Sequence, residues 1–142
     1  MSSWDEYKKT MISPLTAWSA AKDNDLPTLA RLLDEGADLN ARDHRGFSPL
    51  MLAAYAGHEE AFTLLLDRGA DPNSTDLAGN SVLMGVAFKG HLDLATKLLA
   101  AGADASVKNH AGLDARGFAD NFGRHDILAL LDARPAGAPR GP

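Results

Sequence analysis

The side chains best suited to metal chemistry in this sequence are its five histidines. His58 and His91 each follow a glycine, at matching positions of two similar segments. We interpret them as equivalent positions of two adjacent helical units, whose helices would pack roughly 8–10 Å apart. A zinc ion holds its nitrogen ligands at about 2.1 Å, so these two side chains are not expected to share one. His44 and His110 are twice as far apart in the sequence and should be more distant still. The sequence therefore predicts no metal site.

Side chains for nucleophilic or acid–base catalysis occur, but their positions favour structural roles. Ser13, Ser48 and Ser81 stand where helices are expected to begin. Neither a G-x-S-x-G nor a G-x-x-x-x-G-K-[ST] motif occurs. Three carboxylates recur at equal spacing, at Asp38, Asp71 and Asp104. Such recurrence is typical of turn and capping groups rather than of an acid–base pair. We predict no catalytic residues and no cofactor, and an enzyme or metal-binding protein remains a remote alternative.

A period of about 33 residues organises the chain. Residues 43–75 read DHRGFSPLMLAAYAGHEEAFTLLLDRGADPNST, and residues 76–108 read DLAGNSVLMGVAFKGHLDLATKLLAAGADASVK. Repeats of this size build solenoids, in which each unit buries its apolar face against its neighbours. The length of 142 residues is typical of a single domain and accommodates four such units.

The quoted segments resemble the ankyrin repeat. The residues SPLMLA at positions 48–53 stand where that family carries its T-P-L-H-x-A element. The resemblance implies an all-α solenoid of four ankyrin repeats, each with two helices and a hairpin loop, over residues 13–134. The repeats are expected at about 13–42, 43–75, 76–108 and 109–134. The resemblance also implies binding of another protein, whose identity a fold does not reveal.

Local signals place the helices within these units. The Ser-Pro pair at positions 13–14 predicts that the first helix begins two residues earlier than the helix after Ser48. Gly69 supplies the left-handed conformation that ends a second helix. Gly85 falls inside a helix of the third unit, which it weakens by up to ~1 kcal/mol relative to alanine. The missing side chain would allow a neighbour or a partner to approach the backbone closely.

The fourth unit departs from the period. Arg116 and Asp120 are four residues apart and are predicted to pair on one helix face. The apolar residues expected to face inward in this unit are Phe118, Phe122, Ile127, Leu128 and Leu131.

Both ends of the chain are expected to lie outside the repeats. Residues 1–12 predict a short N-terminal capping helix with Trp4 and Tyr7 on its apolar side. Residues 135–142 are rich in proline and glycine, and we expect a disordered tail there.

Composition restricts the partner class and the compartment. The net charge is −5 and the pI about 5.4, without a run of Lys and Arg, so nucleic acid is not an expected partner. Cysteine is absent, which excludes disulfides. No stretch approaches the roughly 18 apolar residues of a membrane span, and the first residues lack a signal peptide's apolar region. We expect a cytoplasmic monomer without a membrane partner, or a periplasmic one if a leader has been removed.

The resemblance also implies where a partner would bind, because ankyrin repeats use their hairpin tips and the adjoining face of their first helices. At the tips this gives His44, Arg45, Phe47, Leu77, Ala78, Asn80, His110, Ala111 and Leu113. On the first helices it gives Lys22, Asp23, Tyr55, Ala56, Phe88, Lys89 and Asn121. Tyr55 and Phe88 are one period apart and are expected side by side in an exposed apolar stripe. Arg45, Lys22 and Lys89 would add a basic rim that favours an acidic partner.

These observations predict a non-catalytic module that binds one protein and sequesters or inhibits it, as an immunity or inhibitor protein does. An adaptor that joins two proteins is the alternative.

Overall fold

The computed structural model describes residues 16–133. Eight helices lie in this range, and its only β-structure is an isolated bridge between Thr75 and Ser81. The helices are α1 Ala17–Lys22, α2 Leu26–Asp34, α3 Pro49–Ala56, α4 Glu59–Asp67, α5 Val82–Lys89, α6 Leu92–Ala100, α7 Ala115–Asn121 and α8 His125–Asp132. They form four successive pairs. The all-α solenoid that the resemblance implied is confirmed.

The pairs stack into two rows of helices. The first helices of the units, α1, α3, α5 and α7, contact one another in that order and form the inner row. The second helices, α2, α4, α6 and α8, form the outer row. Buried alanines such as Ala20, Ala53, Ala87 and Ala119 line the inner row, and their small side chains permit close packing of the helices. Phe62, in the outer row, is the largest fully buried side chain described.

Polar side chains start each inner helix. Each N-cap side chain accepts a hydrogen bond from the backbone N–H three residues on, which satisfies one of the free donors of the first turn. These N-caps are Thr16, Ser48, Ser81 and Asp114. The predicted helix starts at Ser48 and Ser81 are therefore confirmed.

The predicted early start of the first helix is wrong. Thr16 is extended, with φ −119° and ψ 162°, and α1 begins at Ala17. Thr16 Oγ1 accepts from Ser19 N–H at 3.0 Å, and Ser19 Oγ accepts from Thr16 N–H at 3.0 Å. This reciprocal pair supplies a complete N-terminal cap, which the sequence-based assignment to the preceding Ser-Pro pair had overlooked.

Side chains in the loops connect consecutive units. Asn40 Oδ1 accepts a hydrogen bond from Asp71 N–H at 2.8 Å, and Asn73 Oδ1 accepts one from Asp104 N–H at 2.7 Å. Asp38, Asp71 and Asp104 each accept a backbone N–H two residues ahead, so their predicted role in turns is confirmed. Gly69 has φ +92° just after α4, as predicted for a helix end.

The fourth unit corrects two predictions. Arg116 pairs with Asp132, not with Asp120, because α8, the other helix of the same unit, places the Asp132 carboxylate within reach. Phe122 follows α7 as its C-cap and is 48% exposed, so it does not face inward. The period itself explains this exposure, since Phe122 stands where the third unit has the exposed Lys89. Ile127 is buried, and the other predicted inward residues, Phe118, Leu128 and Leu131, pack against the core.

The predictions for the chain ends lie outside the described residues. These are the capping helix over residues 1–12 and the disordered tail over residues 135–142. Within residues 16–133, no helix is long and apolar enough to cross a membrane.

Candidate functional site

A groove opens on the solenoid beside α5, the inner helix of the third unit. Its volume is about 390 Å³. It is lined by Tyr55, Asp76, Asn80, Met84, Gly85, Phe88, Lys89 and Phe118. The lining comes from the second, third and fourth units, so the groove depends on stacking and does not exist in any single repeat.

The groove arises where the side-chain pattern of the inner helices breaks. Gly85 stands one repeat period after Leu52 and one before Phe118, so the third unit has no side chain where its neighbours have a large one. The Tyr55 ring lies over this gap: a Cβ added to Gly85 would be 1.9 Å from Tyr55 Cε1. The close neighbour that the sequence allowed for at Gly85 is therefore this ring. Gly85 is required here because any larger residue would displace Tyr55.

Aromatic rings continue on both sides of the groove. Phe47 meets Tyr55 edge-to-face, with ring centroids 5.7 Å apart. Phe88 meets Phe122 edge-to-face at 4.6 Å, and Phe122 is stacked on Phe118 at 6.4 Å. We call these five residues the aromatic strip. Tyr55 and Phe88 line the same groove, but Tyr55 makes its ring contact with Phe47 and Phe88 makes its ring contact with Phe122.

The strip is most exposed at its C-terminal end. Among the described residues, the large hydrophobic side chains that reach solvent are Leu77 at 65%, Phe122 at 48% and Phe88 at 41%. Leu77 and Phe88 were predicted from the sequence, and Phe122 was missed. The repeat period could have identified Phe122, because it is an aromatic residue at the position that Lys89, an exposed residue, holds in the third unit. Clustered exposed aromatic residues are typical of protein-binding surfaces.

The hairpin tips form a second, adjoining part of the surface. Asp76 Oδ1 accepts the N–H groups of Ala78 and Asn80, both at 2.9 Å. The tips also contact each other: Leu77 lies against Gly46, and His110 N–H donates to the carbonyl of Ala78 at 3.0 Å. These bonds give the tips a defined shape.

The structure does not bring all the predicted binding residues together. Tyr55, Asn80, Phe88 and Lys89 line the groove, whereas the other predicted residues lie outside its lining. Phe47 joins the strip through Tyr55, and Arg45 lies over the Phe47 ring at 4.8 Å from its centroid. Those exposed outside the groove and the strip are Lys22, Asp23, His44, Arg45, Ala56, Leu77, Ala78, His110, Ala111 and Asn121, and Leu113 is half-buried.

Electrostatics differ between the two ends of the groove. Burial, together with the nearby Asp76 carboxylate, raises the pKa of Tyr55 above its usual range, so its phenol is neutral at physiological pH. Burial lowers the pKa of His91, and the positive charges of Lys89 and Arg124 lower it further. The neighbourhood of Lys89 is therefore positive, although the whole chain carries a net charge of −5.

At the hairpin tip, desolvation acts to raise the pKa of Asp43. Backbone hydrogen bonds from Phe47 and Arg45 and the Arg45 charge outweigh it, so this pKa lies below its usual value. Asp43 is thereby held as a carboxylate that organises its turn.

His58 and His91 occupy structural positions. His58 and His91 are the N-caps of α4 and α6, and neither side chain forms a cap hydrogen bond. A Cβ added to Gly57 would lie 3.2 Å from the His91 ring, so this ring packs on the preceding unit. Within residues 16–133, no group of three or more His, Asp or Glu side chains is placed to hold a metal ion.

The architecture, four stacked helix pairs with glycine-containing hairpin tips, defines a helical repeat protein. The sequence model of one family, ankyrin repeats (3 copies), matches residues 17–109, well over half of the chain. The chain belongs to the ankyrin-repeat family, and it is accordingly a protein–protein interaction module of a family that is generally non-catalytic. The matched range ends before α7, in agreement with the divergent fourth unit. A search of curated proteins found no significant match.

Proposed function

We propose that this protein binds a single partner protein through the aromatic strip and the adjoining hairpin tips, and that binding sequesters or inhibits that partner without any catalysis. The observation that carries the proposal is the exposed Phe88–Phe122 pair beside the groove. A partner that covers these rings would remove apolar surface from water, which is the main favourable contribution to association. The edge-to-face contact at 4.6 Å also holds the rings in place before binding, which limits the entropy lost on association.

Paired charges on the opposite side of the solenoid favour a single binding surface, the one that carries the aromatic strip. There, charged side chains of the outer helices pair between units: Arg68 with Asp34 at 2.8 Å, and Lys97 with Glu59 at 3.2 Å. Lys97 also donates a hydrogen bond to Thr63 at 2.7 Å. These groups already have partners within the chain. One surface with exposed aromatic residues favours one partner over an adaptor that joins two proteins.

The test is affinity capture from the source cells, followed by mass spectrometry and light scattering of the purified complex. We expect one protein in a stoichiometric complex whose own activity falls on binding. The double variant Phe88→Ala/Phe122→Ala should no longer capture this partner. Leu64→Ala, which removes a half-buried apolar side chain from the outer row, is the matched control and should still capture the partner. A ternary complex with two captured proteins would favour the adaptor instead.

We propose a monomer that acts in the cytoplasm, without a nucleic-acid partner. Light scattering of the isolated chain tests the first part, and cell fractionation with an antibody to the chain tests the second. A dimer at micromolar concentration, or recovery in the periplasmic fraction, would overturn the corresponding part.

A further inference from the structure

The groove described above has apolar walls and a limited set of free polar groups. Its walls are formed by Tyr55, Met84, Phe88 and Phe118 around Gly85. A cleft of about 390 Å³ lies at the small end of the range for bound ligands, and it is open on one side. It has the size of a pocket for one large apolar side chain with a short stretch of main chain. A broad, flat protein surface would leave it empty.

The acceptors at the tip side of the groove are already engaged. Asp76 accepts two backbone N–H groups on Oδ1, and its Oδ2 accepts a hydrogen bond from Asn80 Nδ2 at 3.2 Å. Asn80 Oδ1 accepts one from Asn109 Nδ2 at 2.8 Å. These two side chains therefore shape the groove and offer little further hydrogen-bonding capacity to a ligand.

Two polar groups of the groove lining, on Lys89 and Tyr55, have no partner within residues 16–133. Lys89 is exposed at the end of α5 and forms no ion pair or hydrogen bond with any residue in the range 16–133. Within the same range, nothing accepts a hydrogen bond from the Tyr55 hydroxyl. Arg124 adds a second positive charge close by, where its guanidinium donates two hydrogen bonds to the carbonyl of Phe88, at 3.0 and 3.1 Å. Among the described residues, the free polar groups of the groove are thus an ammonium, which only donates hydrogen bonds, and a phenol, which can donate one and accept one.

We propose that this groove is an anchor pocket for an acidic linear peptide segment of the partner. A large apolar side chain of the segment packs in the groove against the rings of Tyr55, Phe88 and Phe118, and an adjacent Asp or Glu pairs with Lys89. Charge complementarity selects this occupant, because Lys89 and Arg124 make one end of the groove positive on a chain whose net charge is −5. The Asp76 carboxylate lies at the tip end, so the acidic residue of the segment pairs at the Lys89 end. The proposal rests on the proposed function and specifies the chemistry of its partner.

The test is selection of short random peptides on the immobilised full-length protein, followed by affinity measurement of the enriched sequences. We expect enrichment of an aromatic or large aliphatic residue next to Asp or Glu. Phe88→Ala should weaken binding about tenfold or more, as for a hot-spot residue. Lys89→Glu should weaken it several-fold, and this effect should shrink at high salt because exposed charges are screened.

Two variants serve as matched controls. Leu64→Ala removes a half-buried apolar side chain from the outer row, outside the groove lining. Arg31→Glu makes the same charge change as Lys89→Glu at an exposed position of the outer helix α2. Neither should change the affinity of the selected peptides by more than about twofold, whereas an equal effect of Arg31→Glu and Lys89→Glu would overturn the assignment to the groove.

Several other outcomes would also contradict the proposal. Enrichment of basic or uncharged peptides would show that the charge argument is wrong. No enrichment would show that no linear segment is recognised. Capture of a folded partner that still depends on Phe88 and Phe122 would then leave the proposed function intact. Binding of a synthetic peptide of residues 1–15, or a dimer abolished by Phe88→Ala, would identify the occupant as this chain itself.

Discussion

Replacing Gly85 by alanine sets two physical effects against each other. Glycine within a helix costs roughly 0.5–1 kcal/mol relative to alanine, so helix propensity alone predicts that Gly85→Ala stabilises the protein. The structure predicts the opposite result. The new Cβ would lie 1.9 Å from Cε1 of Tyr55 and 2.7 Å from its Cζ, well inside contact distance. The Tyr55 ring must therefore leave its position.

The expected magnitude follows from these two terms. Overpacking of a tightly packed site costs typically about 1–3 kcal/mol, and the helix term returns up to ~1 kcal/mol. We expect a net loss of about 1 kcal/mol in the free energy of unfolding. For a chain of this size, that loss lowers the midpoint temperature by about 3–5 °C. Urea denaturation monitored by far-ultraviolet circular dichroism would measure the change in the free energy of unfolding.

A double-mutant cycle isolates the contact. In a Tyr55→Ala background the steric conflict is absent, so Gly85→Ala should stabilise that variant by up to ~1 kcal/mol. Gly117→Ala in α7 is a matched control, because its Cβ would meet the end of the Leu113 side chain at 3.2 Å and Asp114 Oδ1 at 3.4 Å, and no aromatic ring. That variant should be neutral or slightly stabilised. The reasoning is refuted if Gly85→Ala stabilises the wild type as much as it stabilises Tyr55→Ala.

Three further predictions concern the loops, the last unit and the positive end of the groove. Asn73→Ala should lower stability by about 1–2 kcal/mol in urea denaturation, because it leaves a backbone N–H of the next loop without its acceptor; an unchanged midpoint would contradict this. Arg116→Ala should change stability by less than about 1 kcal/mol, because its pairing with Asp132 is exposed; a larger loss would show that the pair is structural. The His91 pKa should lie below the ordinary value of 6.5 in an NMR titration and should rise in Lys89→Ala. Since this folded-state pKa is lowered, the stabilisation linked to it is present above pH 6.5 and is lost as the pH falls through the lowered pKa; a pKa unaffected by Lys89→Ala would remove the charge from the explanation.

The backbone of this protein could be predicted from its sequence because the period repeats the same backbone requirements in each unit. Ser48 and Ser81 cap helices, and Gly69 provides a positive φ. Where the signal was ambiguous, the prediction was wrong: the Ser-Pro pair at 13–14 suggested a helix start, but Thr16 and Ser19 form the cap. The role of Asn24 in a turn and in the contact with the next unit was also not predicted. Asn24 adopts φ +56° at the position of Gly57 and binds the N–H of Ala61 in the next unit.

The groove was harder to predict because it depends on contacts between units. The sequence showed that Gly85 could admit a close neighbour, but not that the neighbour is the Tyr55 ring. Phe122 was placed inward from its apolar character, although the equivalent residue in the third unit, Lys89, is exposed. A repeat pattern fixes which positions face each other. Which side chain fills a gap between units depends on packing that the pattern leaves free.

Quantitative capture with Phe88→Ala/Phe122→Ala beside the wild type tests whether the aromatic strip recognises one partner. The two rings are exposed, so the double variant should keep its circular dichroism spectrum. We predict that the wild type and Leu64→Ala recover the same protein, and that the double variant recovers less than about a tenth as much. Equal recovery by a correctly folded double variant would contradict it.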